Sequence, residues 1–213
     1  MTEQRPSLRP SPRRTRYLGA ALLVLALFLA APLVSKAAKV PANFEQYATT
    51  DIGSGLSCVV GAAVNKGESS DERAYVYLEE SASHKIRWIT PIPVRPGWYQ
   101  NRASHCVAAG DSIYALVQSD TNAVPVLSQT LISIATLNQA SGHMQTNDIV
   151  KVSDLKGAHT VFVYDGAENF LFQDGKIVVT GEWATKGDAA DTRTPFKTSV
   201  PVAISNSRKR RES

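Results

Sequence analysis

Four histidines are the first residues of this chain to consider for metal binding or acid–base chemistry. They lie 21, 38 and 16 positions apart, at His84, His105, His143 and His159. No two of them have the close spacing of a zinc-binding helix or knuckle. The sequence therefore predicts no metal site and no cofactor, and we expect these histidines in loops or at strand ends, facing solvent.

A hydrolytic triad needs a nucleophile, a base and an acid, and Ser112, His143 and Asp165 are one arbitrary set. Nothing selects that set, because triads are defined by geometry and the chain has no Gly-x-Ser-x-Gly turn. The adjacent acids Asp71-Glu72 and Glu79-Glu80 cannot converge on one glycosidic bond. The residues favour a protein that is not an enzyme, with an extracytoplasmic hydrolase whose catalytic residues lie on separate loops as the alternative.

The two cysteines, Cys58 and Cys106, predict one disulfide if the chain reaches an oxidising compartment. Closing the loop between them stabilises a fold by about 4 kcal/mol on the chain-entropy model. The neighbour of Cys106 is His105, but adjacent residues on a strand point to opposite faces of the sheet. A nucleophile and base pair formed by these two residues is therefore not expected.

Aromatic and arginine residues concentrate around the prolines at positions 91, 93 and 96, which predict a stiff, extended connection. Tryptophan, tyrosine and arginine are the residue types favoured at protein interfaces. The alternative is that the tryptophans pack in the core of an all-β protein. The candidate partner-binding residues are Trp88, Arg95, Trp98, Tyr99 and Arg102.

An N-terminal leader, residues 1–37, precedes the part of the chain that contains these residues. An arginine-rich start is followed by an uncharged apolar stretch, Leu18 to Ala31, and then by Ser35-Lys36-Ala37. This layout predicts a cleaved signal peptide. If Tyr17 and residues 32–34 are counted, the stretch approaches the length of a membrane span, so an uncleaved anchor with the domain outside the cytoplasm is the alternative.

The charge of +4 is concentrated at the two ends of the chain. Of 23 Lys and Arg and 19 Asp and Glu, six bases and one acid lie in residues 1–37, which leaves 17 and 18 in residues 38–213. Four of those bases lie in residues 208–213, which we expect to form a disordered basic tail. A nucleic-acid partner is not expected, because it requires a basic face on the folded domain.

Residues 38–207 predict a single all-β domain, because apolar residues recur there with a period of two. Glycine and aspartate at 110–111 and at 174–175 interrupt apolar runs and predict hairpin turns. Residues Val126 to Asn138 fit helical spacing as well, but their Thr and Ile content favours a strand. The pattern from 112 to 117 is apolar on both faces, which is typical of a strand covered on both sides.

A loose repeat of strand, polar loop and strand starts at Leu56, Ser112 and Lys176. It resembles the four-stranded antiparallel blades of a β-propeller, although three units are fewer than a closed ring contains. A two-sheet β-sandwich is the alternative, and an outer-membrane barrel is disfavoured because aromatic residues make up only 8% of the chain.

These features predict an exported binding or interaction module of the cell envelope or extracellular space, with a protein partner. Besides the hydrolase, the three-unit count suggests a second alternative, an assembly component completed by a partner chain. Membrane contact is expected only through the leader, if it is uncleaved.

Overall fold

A computed structural model describes residues 39–64, 71–153, 155, 157–185 and 192–202. The predicted leader, residues 1–37, and the predicted basic tail, residues 208–213, lie outside these ranges. Within them, no helix has the length and apolar character needed to cross a membrane.

The strands form three antiparallel sheets, as the sequence predicted. The first sheet contains β1 (Phe44–Asp51), β2 (Leu56–Val64), β3 (Glu72–Glu80) and β4 (Ile86–Ile92). The second contains β5 (Gln100–Ala109), β6 (Ser112–Asp120), β7 (Thr130–Asn138) and β8 (Met144–Ile149). The third contains β9 (His159–Phe162), β10 (Phe170–Gln173), β11 (Lys176–Thr185) and β12 (Thr194–Pro201).

The first two sheets are simple meanders, whereas the third has a broken edge. The short strands β9 and β10 both pair with the same side of β11, at residues 182–185 and 176–179 respectively. The 3-10 turn Ala167–Asn169 lies between them. The third sheet is therefore three strands wide, with β12 on the other side of β11.

Both predicted hairpin turns are confirmed. Gly110 has a φ of 59° between β5 and β6, and Asp174 and Gly175 have φ values of 52° and 72° between β10 and β11. The doubtful segment contains a strand, β7, but the strand begins only at Thr130. Residues 126–129 belong to the preceding loop.

The second sheet lies between the other two. One of its faces packs on the first sheet through Ile113, Ala115 and Val117, and the other packs on the third sheet through Tyr114 and Leu116. The prediction that β6 is covered on both faces is thus confirmed. Three stacked sheets correspond to the blade-like units and not to a two-sheet sandwich.

Paired strands run in opposite directions, so the connections between them fall at two opposite ends of the stack. We call the end with the short turns, such as 110–111 and 139–143, the hairpin end. The long-loop end carries the β4–β5 connection (93–99), the β6–β7 loop (121–129) and the start of β9. The chain also enters β1 at the long-loop end, because Phe44 pairs with Ala63 near the end of β2.

Candidate functional site

The predicted disulfide is present and joins Cys58 of β2 to Cys106 of β5. Both residues are buried in the core between the first and second sheets, and their Cα atoms lie 6.5 Å apart. The bond therefore connects two sheets that share no strand pairing. A buried disulfide of this kind indicates an oxidising compartment.

Trp88 is the one candidate partner-binding residue that lies in the core. Its side chain is 7% exposed and faces the second sheet. The indole Nε1 donates a 2.8 Å hydrogen bond to the carbonyl of Gln139 in the β7–β8 turn. In the structure Trp88 therefore packs the first sheet against the second.

Arg95, Trp98 and Tyr99 lie together in the β4–β5 connection at the long-loop end. The Arg95 guanidinium carbon is 5.7 Å from the centre of the Trp98 ring, within the range of a cation–π contact. Trp98 and Tyr99 are half-buried. The Tyr99 amide donates a 2.9 Å bond to the carbonyl of Asp120, where the β6–β7 loop begins. Partner binding by these residues stays a prediction.

Arg102 belongs to a polar network at the same end. Its Nη1 atom is 3.3 Å from Oδ2 of Asp120 and 3.8 Å from Oε2 of Glu72. Thr130 donates a 2.6 Å bond to the other oxygen of Asp120, and Tyr47 donates a 2.9 Å bond to Glu72. Burial, together with the bond to Glu72, raises the pKa of Tyr47. This network holds the starts of β1, β3, β5 and β7 together.

The β6–β7 loop exposes three large apolar side chains. Val124, Val126 and Leu127 are 48%, 74% and 64% exposed. Residues 121–129 contain no charged side chain. Single exposed apolar residues are ordinary on protein surfaces, but a contiguous group marks a contact site more often.

The backbone of this loop is fixed by its own hydrogen bonds. Thr121 and Gln129 close its base, since the Thr121 amide donates to the Gln129 carbonyl and the Gln129 amide donates to Thr121 Oγ1, both at 2.9 Å. The Leu127 amide donates to the Val124 carbonyl at 2.9 Å. The Gln129 side chain donates to the carbonyl of His159 in the third sheet at 2.9 Å. The apolar side chains therefore project from an ordered turn that bridges two sheets.

Sequence reasoning missed this loop as a site. It treated residues 126–138 as one helix or strand. The available signal was the run Val124-Pro125-Val126-Leu127, which interrupts the period-two pattern just before Thr130. Its exposure depends on where β7 begins, and periodicity does not fix that boundary.

A buried serine–histidine contact lies on β5. The Nδ1 atom of His105 is 3.0 Å from Ser104 Oγ, and Nε2 is 3.2 Å from the Gly166 carbonyl. An irregularity in the pairing with β6 falls between Ala103 and His105, at Ser104. Both side chains are 5% exposed. The expectation that the histidines face solvent is therefore wrong for His105, because its ring packs β5 against the connection that leads to β10.

The remaining histidines are dispersed over the stack. His84 contacts Glu79, with 3.0 Å between Nδ1 and Oε1, in the β3–β4 turn at the hairpin end. His143 lies in the β7–β8 turn at that end, whereas His159 begins β9 at the opposite end. The ranges covered by the structure contain no group of three His, Cys, Asp or Glu side chains arranged to hold a metal ion.

A cleft of about 640 Å³ opens at the hairpin end between the first and second sheets. Arg87, Asp111 and Gln139 line it. The Arg87 Nε atom is 3.0 Å from Glu80 Oε1, and a hydrogen bond from Ser83 lowers the pKa of Glu80. Arg87 is therefore paired within its own sheet at the rim of the cleft.

The fold and its exposed loop thus define a class of protein: a stack of three blade-like sheets that carries an ordered, uncharged apolar turn at one end. No protein-family model matches the chain, and no curated protein matches it. Its function is therefore inferred from the surface itself.

Proposed function

We propose that the chain is an exported binding module of the cell envelope or extracellular space, and that it contacts its partner through the long-loop end. The observation that carries this proposal is the exposure of Val124, Val126 and Leu127 on a backbone fixed by hydrogen bonds. A contact surface that is ordered before binding loses little conformational freedom when the partner arrives. Such a surface favours binding over catalysis.

Export is supported by two independent features. The leader, residues 1–37, has the layout of a secretory signal. The Cys58–Cys106 disulfide requires an oxidising environment to persist. We propose cleavage after Ala37 or retention of the leader as an anchor; in both cases the three sheets lie outside the cytoplasm.

Photo-cross-linking from the loop tests this function without assuming the class of partner. A diazirine-bearing amino acid replaces Val126 in the full-length chain, and irradiated envelope preparations are analysed for protein and lipid adducts by mass spectrometry. The same substitution at Leu171 is the control, because this residue is 38% exposed but lies on β10, away from the loop. We expect adducts from position 126 at several times the yield from position 171. Equal yields at the two positions would reject the long-loop end as the contact surface.

A further inference from the structure

We propose that the partner of the long-loop end is the surface of a lipid bilayer, which the β6–β7 loop contacts when the chain is anchored by its leader. This inference rests on the function proposed above and names the partner for the same surface. Two observations carry it: where the chain enters the first sheet, and which side chains the long-loop end exposes.

The entry point fixes which end of the stack faces the membrane. Six residues, 38–43, separate the leader from Phe44 and span at most roughly 20 Å, and the turn in which the Phe44 amide donates to the Pro41 carbonyl at 3.2 Å shortens that span. Phe44 lies at the long-loop end, because it pairs with Ala63 near the end of β2. An anchored leader therefore holds this end, and not the hairpin end, within reach of the bilayer.

The same end is connected through a continuous set of contacts to the apolar loop. Tyr47 of β1 donates to Glu72 of β3, Glu72 is 3.8 Å from Arg102, and Arg102 is 3.3 Å from Asp120 at the base of the loop. Since these contacts are direct, the start of β1 and the start of the loop share one rigid edge. Tethering the start of β1 to the bilayer therefore brings the β6–β7 loop to the same surface.

The exposed side chains match a membrane interface. Four of the six exposed large hydrophobic residues in the described part of the chain lie at or next to this end: Val124, Val126, Leu127 and Ile149. Half-buried Trp98 and Tyr99 lie at the same end with Arg95, and these residue types favour the headgroup region. The loop can approach the acyl-chain boundary at little electrostatic cost, because residues 121–129 carry no charged side chain.

Fluorescence quenching by brominated lipid tests the contact at the level of a single residue. Full-length Leu127→Trp and Leu171→Trp variants are reconstituted into phosphatidylcholine vesicles with and without bromine on the acyl chains. Wild-type emission from Trp88, Trp98 and Trp183 provides the background for subtraction. We expect the added indole of Leu127→Trp to lose at least half of its emission in brominated vesicles, and that of Leu171→Trp to be quenched little.

Both substituted positions are exposed, and an intact disulfide on a non-reducing gel together with an unchanged circular dichroism spectrum confirms that each variant is folded. Similar quenching of the two added indoles would overturn the bilayer contact. Protein adducts from position 126 without selective quenching would also reject it while leaving the proposed binding function intact. If selective quenching and selective adducts are both absent, the inference and the function fail together.

Discussion

His105 is a buried histidine whose ionisation is disfavoured by the fold. Its ring lies between β5 and the connection that precedes β10, and its Nε2 atom donates to the carbonyl of Gly166. Burial lowers the pKa of His105, and the opposing effects of the Gly166 carbonyl and of Asp165 are smaller. The neutral ring is therefore the form that the folded protein accommodates.

The buried ring predicts a loss of stability in mild acid. An unfolded histidine has a pKa of about 6.5, so below that pH the unfolded chain binds a proton that folded His105 does not. The contribution is complete above about pH 6.5 and is lost as pH falls towards the lower pKa of the folded state. We expect the melting temperature to fall between pH 7.5 and 5, and His105→Gln to reduce that fall.

His143 is the matched control for this prediction, because it is exposed in the β7–β8 turn. His143→Gln should leave the dependence of melting temperature on pH as it is in the wild type. If His105→Gln has the same slope as the wild type, carboxylate protonation alone would account for acid unfolding.

The roles of individual residues were predictable from the sequence where their chemistry allowed few alternatives. Two cysteines leave only one possible intramolecular disulfide. The tryptophans were not separable in this way, because Trp88 and Trp98 both lie near the same prolines. Trp88 is buried because the β7–β8 turn of the second sheet covers it. This contact joins residues 51 positions apart, so no local sequence pattern predicts it.

At the scale of elements, a glycine allows the β7–β8 turn to lie close against the ring of Trp88. Gly142 has a φ of +71°, and a Cβ atom there would lie 2.5 Å from Cδ2 of Trp88. Thr90 of β4 donates a 2.6 Å hydrogen bond to the Gly142 carbonyl, which fixes the position of the turn against the first sheet. The close approach of turn and ring is therefore part of the packing between the first and second sheets.

Replacing this glycine should weaken the fold for two additive reasons. Gly142→Ala places a side chain in the left-handed region, at a cost of about 1–2 kcal/mol, and forces a contact with the ring that costs about 1–3 kcal/mol more. Urea unfolding measures the resulting loss in the free energy of unfolding. Gly175→Ala is the control, because Gly175 has a similar φ of +72° and open space around it. An equal loss for the two variants would show that the ring contact contributes nothing.

Strand starts were predictable because turn chemistry marks them. The repeat starts at Leu56, Ser112 and Lys176 coincide with the first residues of β2, β6 and β11, each of which follows a turn with positive φ at glycine. The β6–β7 loop was not predictable as a surface. Its apolar run has the composition of a buried segment, and only the position of Thr130 opposite Asp120 leaves it outside the sheet.

At the scale of the whole molecule, the stack is unified by its middle sheet, which is apolar on both faces. The sequence predicted this doubly buried character for β6, and it predicted three units. It did not predict the broken edge of the third sheet, because β9 and β10 each have only four residues, the shortest length at which alternation is informative. Their pairing follows from the length of β11, which accommodates both.

The disulfide joins two of these sheets and should account for a large part of the stability of the stack. Cys58 and Cys106 are 48 positions apart, and closing a loop of that length lowers the entropy of the unfolded chain by an amount worth about 4 kcal/mol. The double variant Cys58→Ala, Cys106→Ala should lose about that much free energy of unfolding in urea, with a small further loss from the vacated volume. Reduced wild-type protein is the control for the entropic part, and its midpoint should lie close to that of the double variant. If reduction leaves the midpoint unchanged, the packing of the first sheet on the second holds the stack together without the covalent link.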